Sequence, residues 1–133
     1  MQIARATFAA LAWIFVGLIV LQVFWAGMGL FGAMSMSLHR DFGYLISMVP
    51  LLITIAAAVA RAGRLIGYAA GLLILAFVQT SLPLARDAVP GLAALHPVNA
   101  LLLFVLGIDL ARRATALMRA TRDEAAEEEP ATT

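Results

Sequence analysis

Four stretches of this chain are apolar for about as long as a helix needs to cross a bilayer, roughly 20 residues. They run from about Phe8 to Gly32, Phe42 to Ala60, Leu65 to Leu84, and Pro97 to about residue 117. The first is interrupted only by the polar Gln22. The last is uncharged only as far as Ile108. It reaches spanning length by continuing through Asp109 and Arg112, whose i, i+3 spacing allows an ion pair at the membrane surface. The first stretch, at about 25 residues, is too long for the 7–15-residue core of a signal peptide and reads as a span.

Composition leaves no alternative solvent. Of the 133 residues, 63% are hydrophobic and 13% charged, against about 45–50% and 25% in a soluble domain. A core of this size could not hide so many apolar side chains. The expected fold is all-α: an integral membrane four-helix antiparallel bundle over residues 1–122, with a disordered acidic tail over 123–133. A net charge of +1 offers no basic patch for nucleic acid. The lack of cysteine removes disulfides, thiolate metal sites, Fe–S clusters and thiol catalysis together.

The arginines set the orientation. With the N-terminus inside, Arg5, Arg61, Arg64, Arg112, Arg113, Arg119 and Arg122 fall on the inner face and only Arg40 and Arg86 outside. Both termini are therefore expected in the cytoplasm, in a bacterial inner (plasma) membrane. The tight Arg61-Ala62-Gly63-Arg64 turn makes the second and third helices antiparallel partners, and the outer loop from Ala85 to His96 has room for a short surface helix. Helices in lipid associate through close packing of small residues. Ala26, Gly29 and Ala33, and the Gly67-x-x-x-Gly71 of the third helix, are the candidates. Pro50 should kink the second helix, with Ser47 and Thr54 near enough to compensate.

This topology gives the chain's two histidines matching positions. His39 opens the second helix and His96 the fourth, both running inward, so the imidazoles lie at one depth near the outer face. In a sequentially wound bundle these helices are diagonal, and the two rings could meet across the centre. Below His39 the helical face continues through Gly43, Ser47, Pro50 and Thr54, small or weakly polar, and Gly43 leaves room for a flat macrocycle.

Zinc generally takes three or four protein ligands, and only Asp41 and Asp87 are near enough to add to the histidines. Haem iron needs at most two axial ligands. Arg40 and Arg86, the outer-face cations, could pair with its propionates. The plainer reading is that each histidine hydrogen-bonds water or a carbonyl at the membrane boundary, with Pro97 as the first helical residue after His96. Met28, Met34, Met36 and Met48 gather at the same end, either as packing or as soft ligands.

His39-Arg40 with Gly43, Gln79 with Leu82, and His96 opening the fourth helix resemble one four-helix half of haem A synthase. The segments AGMGLFG, LHRDFGY and LHPVNALLLF are also similar to an uncharacterised family of small bacterial four-helix membrane proteins. The first resemblance implies His39 and His96 as axial ligands of a haem, with Gln79 beside the pocket. It does not extend to catalysis, because Ala33 to Leu38 contains no carboxylate where haem A synthase carries acidic residues.

The expected function is a membrane b-type haem protein, bis-histidine ligated near the outer face, serving electron transfer or redox sensing rather than catalysis. Its partners would be the lipid bilayer and a redox partner, a larger membrane complex or a second copy of itself. The rival expectation is a non-enzymatic accessory subunit that packs through its small-residue helix faces.

Overall fold

The computed structural model describes residues 1–127. Six helices follow in order: α1 (Gln2–Leu30), α2 (Met36–Ile46), α3 (Val49–Val59), α4 (Arg64–Ser81), α5 (Pro90–Ala93) and α6 (Leu95–Glu127), with a 3-10 turn over Leu82–Ala85. They make four spans long and apolar enough for a membrane: Gln2–Leu30, Met36–Val59, Arg64–Ala85 and Pro90–Glu127. The protein is thus an all-α, multi-pass membrane protein, and α5 is the short helix expected in the loop before His96.

The second span is two helices because of Pro50. Proline cannot donate to the preceding turn, so the helix breaks at Ser47–Met48 and restarts with Pro50 in its first turn. Ser47 Oγ donates to the Tyr44 carbonyl at 2.6 Å, and Thr54 Oγ1 to the Pro50 carbonyl at 2.8 Å. Between α3 and α4 the chain reverses through Arg61 and Gly63, both at positive φ. The Ala62 N–H bonds the Ala57 carbonyl at 3.0 Å and closes the helix end.

The helix of the fourth span, α6, runs past the expected end near residue 117 and is helical through Glu127. Residues 123–127 of the expected disordered tail therefore continue α6, and 128–133 lie outside the described residues. Asp109 pairs with Arg113, not Arg112: Arg113 Nε donates to its carboxylate at 2.8 Å, and Tyr68 Oη donates at 2.7 Å. The i+3 and i+4 positions diverge around the helix. Only Arg113 reaches the α4 side, where its guanidinium lies 5.8 Å from the Tyr68 ring centroid.

Successive spans pack as neighbours, and the first also packs along the fourth. The ring closes in chain order, and the second and fourth spans face each other diagonally, as the short connections imply. Phe8, Phe15, Ile53, Leu72 and Leu110 fill the centre, with Ala12, Ala57, Ala69, Ala76, Ala111 and Ala114 between them. Alanine does the work expected of glycine, letting backbones approach. Gly107 is also closely packed, where a Cβ would stand 3.3 Å from Val16. Gly67 and Gly71 contribute nothing here, since a Cβ on either would meet no atom within 4 Å.

Candidate functional site

The connected apolar core stops at the level of Ile19, Ile46, Ala76 and Leu103, with Leu82 buried separately beyond it. Beyond it, toward the connections that precede α2 and α6, every span adds a polar side chain: Gln22, His39, Gln79, and from the fourth span His96 and Asn99. The two imidazoles are half-buried, their ring centroids 6.2 Å apart and their planes nearly perpendicular at 85°. Two imidazoles on one metal ion, with bonds of about 2.0–2.1 Å, also place their centroids about 6 Å apart.

Both rings are held by the same nitrogen. His39 Nδ1 lies 3.1 Å from the Gln22 carbonyl oxygen, and His96 Nδ1 lies 2.9 Å from that of Gln79, each 17 residues back along the chain. With Nδ1–H as donor, Nε2 keeps the lone pair a metal requires. Ligand histidines commonly tie back their other nitrogen in this way, which fixes ring and tautomer.

Local sequence explains the second clamp. Pro83, four residues after Gln79, has no N–H to give to the Gln79 carbonyl, so that acceptor is open for His96. At the first clamp the Gln22 carbonyl is shared within α1. Its side chain also sits on His39: with Oε1 accepting from the Gly43 N–H at 2.8 Å, Nε2 donates to the His39 carbonyl at 3.1 Å and lies 2.7 Å from Nδ1, a contact that needs the Nδ1 lone pair and so competes with the Nδ1–H bond to the Gln22 carbonyl.

Gln79 differs. Its Nε2 lies 3.2 Å from His96 Nε2, and its Oε1 accepts from Asn99 Nδ2 at 2.7 Å. Asn99, only 6% exposed, also donates to the Leu75 carbonyl at 3.0 Å and so ties α6 to α4. Gln79 is therefore both the interhelical crosslink its position allows and a direct neighbour of His96.

The remaining expected residues lie round this centre. Gly43 faces Gln22, whose amide would be 3.8 Å from an added Cβ, so the space expected for a macrocycle there is covered by that amide. Arg40 pairs with Asp41 at 2.9 Å and Arg86 with Asp87 at 3.4 Å, all four exposed. Adjacent surface pairs of this kind hold little energy and leave both arginines able to turn to another anion. Met28 lines an apolar groove of about 290 Å³ with Val23, Phe24, Gly27, Phe31 and Ala33, away from the histidines. The thioether of Met36 packs over Gly29. Among the described residues no group of three or more His, Cys, Asp or Glu is placed to share a metal ion.

Gln22 is the site residue that sequence reasoning missed. The signal was present: Gln22 precedes His39 by the interval at which Gln79 precedes His96, and both histidines follow a leucine. The pairs mark two halves of the bundle, each with glutamine on the outgoing span and histidine on the returning one.

Fold and site define a four-span membrane protein with an apolar core and a paired glutamine–histidine centre at one end. Residues 22–85 match the model of DUF6220, a family of unknown function. The matched stretch takes in Gln22, His39 and Gln79 and ends before His96. No curated protein and no solved structure matches the chain, so the likeness to haem A synthase rests on its residues alone.

Proposed function

We propose that the polar end of the bundle holds one b-type haem between His39 and His96, and that the protein serves electron transfer or redox sensing in its membrane. One observation carries this reading. Two imidazoles on diagonal spans, each with Nδ1 at a backbone carbonyl, stand 6.2 Å apart with no third ligand-type side chain grouped with them among the described residues. That donor set is too small for a structural zinc site and sufficient for two axial positions.

A haem held there supplies one-electron chemistry. The chain's own residues do the rest. The carbonyls of Gln22 and Gln79 orient the rings, and at His96 the Nδ1–H bond to the Gln79 carbonyl would leave Nε2 as the more basic nitrogen. Arg40 and Arg86, on the same end of the bundle, are the cations for propionate groups. The arginine distribution supports this end as the outer face, with both termini cytoplasmic, in what we take to be a bacterial inner membrane. Without a carboxylate between Ala33 and Leu38, the site suits a carrier or sensor rather than an oxygenase.

The test is the absorption spectrum of full-length protein purified in detergent from haem-replete cells. A Soret band should be present and should be lost in His39→Ala. His96→Ala should lose the bis-histidine low-spin spectrum. A colourless protein would sink the reading.

The outward Gly67 and Gly71 favour a second reading, a non-enzymatic subunit docked through that face on a larger membrane complex. It predicts co-purification of a partner that survives replacement of both histidines.

A further inference from the structure

The end of the bundle opposite the histidines carries an open groove where the first and fourth spans meet. Its floor is apolar, formed by Ile3 and Ala6 of α1 and Met118 of α6, and its rim is polar, formed by Gln2 and Arg122. The volume is about 310 Å³. Residues 2 and 6 lie one turn apart on α1, and 118 and 122 one turn apart on α6, so the groove follows the seam between the two helices.

A second arginine stands beside it. Arg5 is half-buried, and its guanidinium donates to Oγ1 of Thr121, the neighbour of Arg122. That hydroxyl donates onward to the Leu117 carbonyl at 3.0 Å. Nε of Arg5 is buried without an acceptor. Among the described residues neither Arg5 nor Arg122 forms an ion pair, although Asp123 and Glu124 follow directly on α6. Two permanent cations therefore meet at one seam without an anion. Burial takes water from the Arg5 charge, and an anion in the adjoining groove offsets that loss.

The seam runs on toward the middle of the spans. Trp13, seven residues beyond Ala6 and so about 10 Å further along α1, donates from Nε1 to Thr115 Oγ1 at 3.1 Å. Thr115 precedes Arg122 by the same seven residues on the antiparallel α6. The indole is fixed to the seam by its nitrogen while 44% of the residue stays exposed.

We propose that this groove binds one anionic glycerophospholipid, its phosphate between Arg5 and Arg122 and an acyl chain laid along Ala6, Met118 and Trp13. The two cations suit any phosphate. The apolar floor leading to an exposed indole selects one that carries a hydrocarbon tail. Basic pockets between spans on the cytoplasmic side hold anionic headgroups, and the arginine excess favours that side for this end. The site is independent of the haem reading and shares no residue with it.

The experiment reads Trp13 directly, because a brominated acyl chain quenches an indole that it touches. Trp25→Phe leaves Trp13 as the remaining tryptophan of the full-length chain. That protein is placed in phosphatidylcholine vesicles containing brominated phosphatidylglycerol or, separately, brominated phosphatidylcholine. Two arginines at about 5-fold each give an expected preference for phosphatidylglycerol of about 20-fold at Trp13. Arg122→Gln, an exposed change, should cut it about 5-fold. Ala6→Leu fills the groove floor with every charge intact and should also lower it. Arg64→Gln, in the turn between the second and third spans on the far side of the ring, should leave it unchanged. Equal quenching by the two lipids would overturn the proposal. So would an Arg64→Gln loss matching that of Arg122→Gln, which would mean general surface charge, or an Ala6→Leu variant with full preference.

Discussion

Gln79 and His96 meet twice, the backbone carbonyl of Gln79 at 2.9 Å from Nδ1 and its side-chain amide at 3.2 Å from Nε2. The first contact depends on Pro83, which leaves that carbonyl without its helical donor. Pro83→Ala restores an N–H that competes with the imidazole. A neutral hydrogen bond contributes about 0.5–1.5 kcal/mol net, so loosening this one should weaken haem binding by about 2–10-fold. Titrating haem into purified haem-free protein measures it. Unchanged affinity would mean that the carbonyl does not orient His96.

Asn99 is the buried polar residue of the fourth span and holds both Leu75 and Gln79 on α4. Interhelical hydrogen bonds in membranes average about 0.6 kcal/mol and reach about 1.7. Asn99→Leu removes two bonds and leaves Gln79 Oε1 short of a donor. A loss of about 1–2 kcal/mol is expected, read by reversible unfolding in mixed detergent. A variant as stable as the wild type would show that the amide serves the site and not the bundle.

The spans were legible because hydropathy is a one-dimensional signal, and the short connections then left one way to close the ring. The diagonal pairing of His39 and His96 followed from that order alone. What sequence could not supply was contact geometry. The i, i+3 pairing of Asp109 with Arg112 was equally allowed on a bare helix, and only the presence of Tyr68 on α4 selects Arg113. The G-x-x-x-G of the third span fits packing inside the bundle or outside it, and the structure turns it outward. Gln22 escaped notice because a single glutamine in an apolar span has no periodicity. Its meaning lies in an interval of 17 residues repeated across two halves.

Gly107 and Val16 meet where the first and fourth spans pack together. A Cβ at 107 would stand 3.3 Å from Val16 Cγ2 and 3.7 Å from the Phe15 ring. Gly107→Ala asks Val16 to shift by a few tenths of an ångström, while alanine gains about 0.8–1.0 kcal/mol in helix propensity. The two effects nearly cancel, and stability should be almost unchanged. Gly107→Leu cannot be absorbed in that way and should cost about 1–3 kcal/mol. Unfolding midpoints of the two variants in detergent test the contrast. A leucine variant as stable as the alanine one would show that the spans can separate there without loss.

Gly67 and Gly71 present the opposite case, two glycines one turn apart whose added side chains would touch nothing. Leucine at both positions should leave the isolated bundle as stable as before, or slightly more so through helix propensity. In lipid the same change closes the groove through which another helix could approach. If the protein is a subunit of a larger complex through this face, the double variant should lose its partner in a detergent pull-down while keeping its unfolding midpoint. Retention of the partner would place the docking surface elsewhere. Loss of pigment in the same variant would link this face to the histidine end, a coupling that nothing in the packing between them provides.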